Sequence, residues 1–433
     1  MTPDPAHAFR LRVSDVPPPT ADLVVVGAGV VGCATAFRAA RAGLRTVVLD
    51  ARPRPATLTT PAATGAYRLQ FDNAEEIALV REGIELYEDF GARAGLPGYD
   101  VGLRPQGYLF CARDESALER QRELVARQRS FGLTDVELLD GDEVRRRFPY
   151  VADTVRGGRF RAGDGFIDPV RLAWGYALAA SGGPGVDRAA DSSDATFVLG
   201  QRAVGLRSVG GRIVAVETHD GAIAAPLVVL ATGPFLGRTA ALAGVDVPIA
   251  PTRRQKVVVA DAPEVPAGAP MTIDEETGAH WRPALRGAYV LLTEHDTPPS
   301  EPAWSVPTSA DLAFRLLDPA SPDAVAHVAP FWEAVWERGV NWILQAGQYE
   351  YTPDHRPFVS ETPVTGLWLN GGWSGHGVMG SGGGSRLLVD AMTGRTTGPA
   401  WGLRPGGDGG NGGDGGNPFR LDRPMEAHRH DVL

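Results

Sequence analysis

The chain alternates short, wholly apolar runs with amphipathic stretches. Leu23-Val-Val-Val26 and Thr46-Val-Val-Leu-Asp50 read as strands buried on both faces, joined by a helical stretch that ends at Gly43. Asn73 with Glu76 forms a capping box that opens a helix, whose apolar stripe is Ile77, Val80, Ile84 and Tyr87. Gln106 to Cys111 reads as a short strand, and 114–131 as a charged amphipathic helix. From Thr196 the pattern turns to β, through Ala203–Val209, Gly210-Gly211, Arg212–His219 and Asp220-Gly221, where the Gly-Gly and Asp-Gly pairs mark hairpin turns. That meander returns to Leu227-Val-Val-Leu-Ala-Thr-Gly233, apolar like a central parallel strand. Residues 251–295 predict strands of a second sheet, and 322–338 a helix carrying Phe331, Trp332 and Trp336. Gly366-Leu-Trp-Leu-Asn-Gly371 leads through a glycine-rich turn into a helix that runs to about Thr393. Residues 1–20 are Pro-rich and predict a loose arm, while 404–417, rich in Gly, Asp and Asn, predict a flexible loop or tail. No internal repeat is visible.

The strongest local motif is the first strand–turn–helix. In Val26-Gly27-Ala28-Gly29-Val30-Val31-Gly32, Gly27 permits the tight turn, Gly29 lets backbone approach a pyrophosphate, and Gly32 lets the helix lie close on the sheet. The helix start offers N–H donors and a positive dipole end to phosphate. Asp50 ends the next strand, where its carboxylate can accept from a ribose. Together these predict dinucleotide binding. A second glycine corner, Asn370-Gly-Gly-Trp-Ser-Gly-His-Gly-Val-Met-Gly, begins roughly 340 residues later and also opens a helix. Its glycines suit a flat ligand, and its helix start suits the negative charge that a reduced flavin gathers at its N1–C2=O edge.

At 433 residues the chain exceeds what one core usually supports, so two interleaved domains are expected. A formal charge of −10 disfavours nucleic acid or an anionic membrane as main partner. No stretch of eighteen apolar residues and no signal-peptide pattern are present, and the two cysteines, Cys33 and Cys111, suit reduced thiols in a cytoplasmic protein. No His/Cys/Asp cluster has metal-ligand spacing, so no metal site is expected. Of 42 basic residues one alone is a lysine, Lys256.

Taken in order, five pieces carry a resemblance: the Gly27 fingerprint; Gly165-Phe-Ile-Asp168-Pro169; Val228-Val-Leu-Ala-Thr-Gly233; Thr352-Pro-Asp354-His-Arg-Pro357; and Gly372-Trp-Ser-Gly-His376-Gly377. The chain resembles the D-amino-acid oxidase superfamily of FAD enzymes over about residues 21–395, nearest its sarcosine oxidase, glycine oxidase and dimethylglycine dehydrogenase-like members. The resemblance implies an α/β fold of mixed α+β character: a Rossmann-like FAD-binding domain with parallel sheet and β-meander, capped by a mixed-sheet substrate domain. The FAD domain would comprise 21–90, 160–240 and 346–400, the substrate domain 91–159 and 241–345, with 1–20 an arm and 401–433 a flexible tail. It implies an amine or amino acid oxidised to an imine by hydride transfer to non-covalent FAD, with O2 as electron acceptor. Gly27, Ala28, Gly29 and Gly32 would serve the pyrophosphate and Asp50 the adenosine ribose, with Val30, Val31, Ala51 and Arg52 as further cofactor-binding residues. Val204 would flank the adenine through its backbone, and Ala231, Thr232 and Gly233 would also bind the cofactor. Thr64, Gly65, Gly375, His376, Gly377, Val378 and Met379 would surround the isoalloxazine.

Departures from the family pattern bear on substrate. Arg68 matches the first of two arginines that sarcosine-oxidase-like members carry, but Phe71 occupies the second, and Met379 stands where they place a lysine. A buried carboxylate without a cation costs several kcal/mol, so either Arg68, Lys256 or Arg282 takes it or the substrate lacks one. Gly347 stands at the flavin-attaching cysteine position, and 51–70 holds no histidine. Lys256, on a strand expected beside Tyr289-Val290-Leu291, is the candidate for oxygen activation or substrate binding. His280 and Tyr349 are further pocket candidates, and a two-residue slip would exchange Tyr349 with Tyr351. A specialised biosynthetic substrate, in secondary metabolism, fits the missing acid anchors. The rival readings are an FAD-dependent 2-hydroxy acid dehydrogenase and a non-catalytic flavin-binding assembly factor.

Overall fold

The computed structural model describes residues 9–182, 193–294, 296–395 and 416–426. Two sheets organise it. The first has six strands in the order Phe358–Glu361, Leu367–Gly371, Leu227–Leu230, Leu23–Val26, Thr46–Asp50 and Ala195–Leu199. All neighbours run parallel except the 358–361/367–371 hairpin. Leu23 pairs with Leu227 on one side and Thr46 on the other, so the fingerprint strand is central and buried on both faces. The 196–199 run joins this parallel sheet instead of the meander, which consists of Gly205–Val209, Arg212–Thr218 and Gly221–Ala224.

The helix Val30–Arg41 packs between Pro169–Ser181 and the C-terminal helix Gly377–Thr393, and its residues Cys33, Phe37 and Ala36 are fully buried there. Local chemistry starts the helices where the sequence predicts. Asn73 Oδ1 accepts from the Glu76 N–H at 2.8 Å, Asp114 caps Glu115–Ser130, and Asp168 caps the helix that begins at Pro169. The helix predicted over 322–338 is split into a 3₁₀ turn, Val325–His327, and a short helix, Phe331–Glu337, because Pro330 has no N–H to continue the first.

The second sheet has eight strands, in the order Trp342–Tyr351, Ala250–Val259, Gly287–Leu292, Ala279–Ala284, Met271–Asp274, Tyr108–Ala112, Gly157–Arg161 and Glu137–Asp140. Its outer face buries Val257, Val290 and Trp281 against Leu312, Leu316, Trp332 and Val335. Its inner face carries Lys256, Tyr289, Arg282 and Tyr349 towards the first domain, so a mixed sheet covers a nucleotide-type fold.

Both ends of the chain differ from the loose segments predicted. Val13 bridges Phe197 and Thr20 bridges Ala224, so this part of the arm extends sheets. Residues 1–8 and most of 404–417 lie outside the described residues. Within the predicted tail, Phe419 is fully buried and its carbonyl accepts the Val359 N–H at 3.0 Å. Arg423 forks onto Asp354 at 2.7 and 2.8 Å, so a bidentate ion pair docks the segment.

Candidate cofactor and active site

The fingerprint strand ends in a corner that tolerates no side chain. Gly27 has φ +109°, and a Cβ there would meet Ala231 O at 2.4 Å. One on Gly32 would meet Gly27 O at 1.8 Å, so the helix lies directly on the turn. Asp50 accepts from the Ala28 N–H at 2.5 Å and the Arg52 N–H at 2.7 Å. Burial is the largest influence on its carboxyl and raises its pKa against those donors.

The second corner closes on the first through buried polar side chains. Asn370 Nδ2 donates to Thr35 Oγ1 at 3.0 Å and Ser385 Oγ at 3.1 Å, and its Oδ1 accepts from Trp373 Nε1 at 3.3 Å. Thr35 belongs to the first corner's helix and Ser385 to the second's. Gly375 has φ +99°, and a Cβ on it would strike the Tyr349 ring at 2.5 Å.

One cleft of about 360 Å³ runs between the corners. It is lined by Gly27, Gly29, Val30 and Val31, then by Asp50, Ala51 and Arg52, and by Ala231, Thr232 and Gly233. At the other end stand Tyr349, Gly375, Gly377 and Val378. Thr232 Oγ1 is buried in the wall without a protein partner, and Gly29 presents open space to the cleft, with Thr60 Oγ1 the nearest atom to an added Cβ at 3.6 Å. An extended ligand with hydrogen-bonding groups along its length fits these features.

Other predicted residues stand behind the wall. Ala28 and Gly32 build the turn. Val204 does not line the cleft, because its N–H is taken by Glu217 O at 2.8 Å, and Ala203 lines it instead. Thr64 and Gly65 belong to the loop that supports the wall: Thr64 O accepts from Arg282 Nε at 2.8 Å, and Gly65 O from the Ile167 N–H at 2.7 Å. His376 Nε2 lies 2.8 Å from Glu76 Oε1, and His376 and Met379 are both buried under the corner.

Lys256 pairs across the sheet with Leu291, but its ammonium is turned onto the loop and not into the cleft. Nζ donates to Ala63 O at 2.8 Å and Pro61 O at 3.2 Å, and lies 4.4 Å from the Tyr289 ring centroid. The physical reason is local. The single helical turn Thr59–Ala62 leaves unpaired carbonyls at its C-terminus, which a buried cation satisfies. Burial first, then the Arg282 charge, pulls its pKa down to about 7. Arg68 is equally inward, with NH1 donating to Gln70 O at 2.7 Å and its guanidinium 4.6 Å from the Phe71 ring centroid. His280 Nδ1 lies 2.9 Å from Gly278 O, and burial lowers its pKa to about 4, so it is neutral; it does not line the cleft. Tyr349 does, whereas Tyr351 accepts from Arg254 Nε at 3.1 Å.

Glu350 was not singled out by sequence. It lines the same cleft, and burial raises its pKa to about 7 against backbone N–H groups of Glu350 and Trp373. No motif flags it, because its neighbours come from distant segments. Among the described residues no helix is long and apolar enough to cross a membrane, and no group of three or more His, Cys, Asp or Glu is placed to hold a metal.

A parallel nucleotide sheet, two glycine corners on one cleft and a covering mixed sheet define a two-domain flavoprotein of the oxidoreductase class. A family model described as FAD dependent oxidoreductase (DAO) matches residues 22–391. The chain belongs to this family, and FAD is its cofactor. It is 27% identical over 379 residues to sarcosine dehydrogenase of Mus musculus, covering 84% of this chain and 39% of that protein, so it spans about two-fifths of the relative's length. It is 26% identical over 437 residues to D-amino acid dehydrogenase of Cereibacter sphaeroides, covering 86% and 92%. L-Proline dehydrogenase from P. horikoshii, 21% identical, shares the fold with a TM-score of 0.74 over 89% of this chain and 96% of that one.

Proposed function

We propose that the protein oxidises the C–N bond of an amine or amino acid, N-substituted amino acids included, to an imine that water hydrolyses. FAD supplies the hydride acceptor for the carbon beside the nitrogen. The supporting observation is the single cleft shared by the Gly27–Gly29 and Gly375–Val378 corners, with Tyr349 in its wall. The Gly27 corner and its helix start serve the pyrophosphate, and Asp50 the ribose. The Gly377–Thr393 helix begins at the second corner, where its positive dipole end would stabilise negative charge on a bound flavin. Lys256 and Arg282 hold the 61–64 carbonyls, so this loop is fixed before substrate arrives.

Hydride leaves a neutral amine without a strong protein base, and none is assigned. FAD is held non-covalently, because Gly347 offers no thiol. Phe71 and Met379, both buried and apolar, replace the usual acid anchors. A substrate without a free carboxylate needs no such anchor; one with a carboxylate needs Arg68, Lys256 or Arg282 to change partners. Oxygen is the proposed electron acceptor, with H2O2 as product, in the cytoplasm.

The test is anaerobic bleaching of the visible flavin bands by a panel of amines, N-methyl amino acids, D- and L-amino acids and 2-hydroxy acids. Bleaching by a nitrogen compound, followed by H2O2 release on admitting air, is expected. Bleaching by hydroxy acids alone, or by nothing on the panel, sinks the proposal.

A further inference from the structure

The rim of the cleft carries a stack that the cofactor motifs do not account for. Trp304 lies face to face with Phe235, ring centroids 4.2 Å apart and planes 23° apart. The Arg202 guanidinium covers the same indole at 5.1 Å. Arg202, Phe235 and Trp304 all line the cleft, yet Trp304 remains 36% exposed, which puts it at the opening. Phe235 and Arg202 follow strands of the nucleotide domain, whereas Trp304 comes from the covering domain. The stack therefore joins the two domains across the opening.

The segment that carries Trp304 is stitched down along its length. Buried Gln348 receives the Ala303 N–H at 2.8 Å and donates to Ser300 Oγ at 2.9 Å and Glu301 O at 2.8 Å. Ser300 N–H reaches Pro251 O at 2.7 Å, and buried Gln255 accepts the Ser309 N–H at 2.7 Å. Arg238 pairs with Glu301 at 2.6 Å on the nucleotide side. Two buried glutamines thus fix a strap, 299–309, whose backbone has no strand of its own, and leave its indole reaching across the opening.

We propose that Trp304 is the latch that retains FAD: the Phe235–Trp304–Arg202 stack closes the cleft, and the cofactor leaves only when that stack parts. This rests on FAD occupying the cleft, and it is independent of which substrate is oxidised. An aromatic stack and an exposed cation–π contact together slow opening by about tenfold.

The test uses the purified holoprotein and reads FAD release, as the rise in flavin fluorescence after dilution, with no substrate present. Trp304→Ala is expected to release FAD about tenfold faster than wild type, and Trp304→Phe, which keeps a ring on Phe235, to fall close to wild type. Gln348→Ala, which frees the strap without touching the stack, is expected to lie between them. Release at the wild-type rate from Trp304→Ala overturns the proposal. If Trp304→Ala does not fold, Arg202→Gln and Gln348→Ala decide, and wild-type release from both overturns it. A wild-type protein purified without flavin bands would instead overturn the assignment of the cleft to FAD.

Discussion

The two domains hold the same cleft by opposite means. On the nucleotide side the wall is backbone: Gly27, Gly29 and Gly375 bring main chain up to the cavity, and there is no room for a Cβ at Gly27, Gly32 or Gly375. On the covering side the wall is set by long side chains crossing to reach main chain, with Lys256 and Arg282 on the 61–64 carbonyls and Gln348 on the 299–303 strap. Backbone walls fail all at once when crowded, whereas side-chain walls loosen by one contact at a time. The nucleotide side should therefore be brittle and the covering side graded.

The largest expected effect lies at the first corner. In Gly32→Ala the new Cβ must displace the Gly27 carbonyl, an overpacking that costs about 3 kcal/mol or more. Denaturant unfolding and the flavin-to-protein absorbance ratio should show a destabilised protein purified without FAD. Full flavin content in this variant would show that the corner yields, and the contrast between the domains would be lost.

A smaller loss is expected at Asp50. Asp50→Asn keeps the shape but places an N–H₂ against one of the two N–H groups the carboxylate accepts, Ala28 or Arg52. Removing one charged acceptor costs about 1.5 to 3 kcal/mol. That loss falls on the ligand-free fold, so the unfolding midpoint should drop accordingly, and FAD affinity of the stripped protein, titrated by fluorescence quenching, should fall by at least about tenfold beside it. An unchanged FAD affinity beside a lowered midpoint would make Asp50 a structural residue only.

The same contrast explains what the sequence could disclose. The Gly27 corner, Asp50, the hairpin glycines and the Asn73 cap are local devices, in which spacing alone dictates backbone shape, so residue type and position announce them. The Gly375 corner is legible for that reason, although its meeting with the first depends on Asn370, Thr35 and Ser385, which no pattern links. The covering domain's strands were legible, but not where its cations point. Lys256 turns to the Thr59–Ala62 carbonyls because a turn 195 positions earlier ends beneath it. Val204 gives its N–H to Glu217 O, and Ala203 lines the cleft beside it, a placement that no sequence pattern announces. Glu350 and Trp304 acquire their settings from segments far away in sequence, and the spacing of Phe331, Trp332 and Trp336 does not disclose that Pro330 separates two short helical pieces.

The last contrast lies within the covering sheet, between two buried groups whose pH dependences have opposite sign. Lys256 has a folded pKa of about 7 against an ordinary 10.5, so between those values the unfolded chain binds one more proton than the folded chain. Stability therefore rises with pH across that window and is lost as pH falls towards 7. Glu350 has a folded pKa of about 7 against an ordinary 4.5, so between those values the folded chain binds the extra proton and stability falls as pH rises. Each slope is bounded by about 1.4 kcal/mol per pH unit, the value for one whole proton. Urea midpoints of FAD-free protein from pH 4.5 to 10 should show Lys256→Met flattening only the alkaline limb and Glu350→Gln only the acid one. Lys256→Met should also loosen the 59–65 loop, and because Nζ already spends its donors on carbonyls, flavin reoxidation by O2 should change less than threefold, about 0.65 kcal/mol. A tenfold slower reoxidation would return Lys256 to the oxygen chemistry and make the covering domain a catalytic wall in its own right.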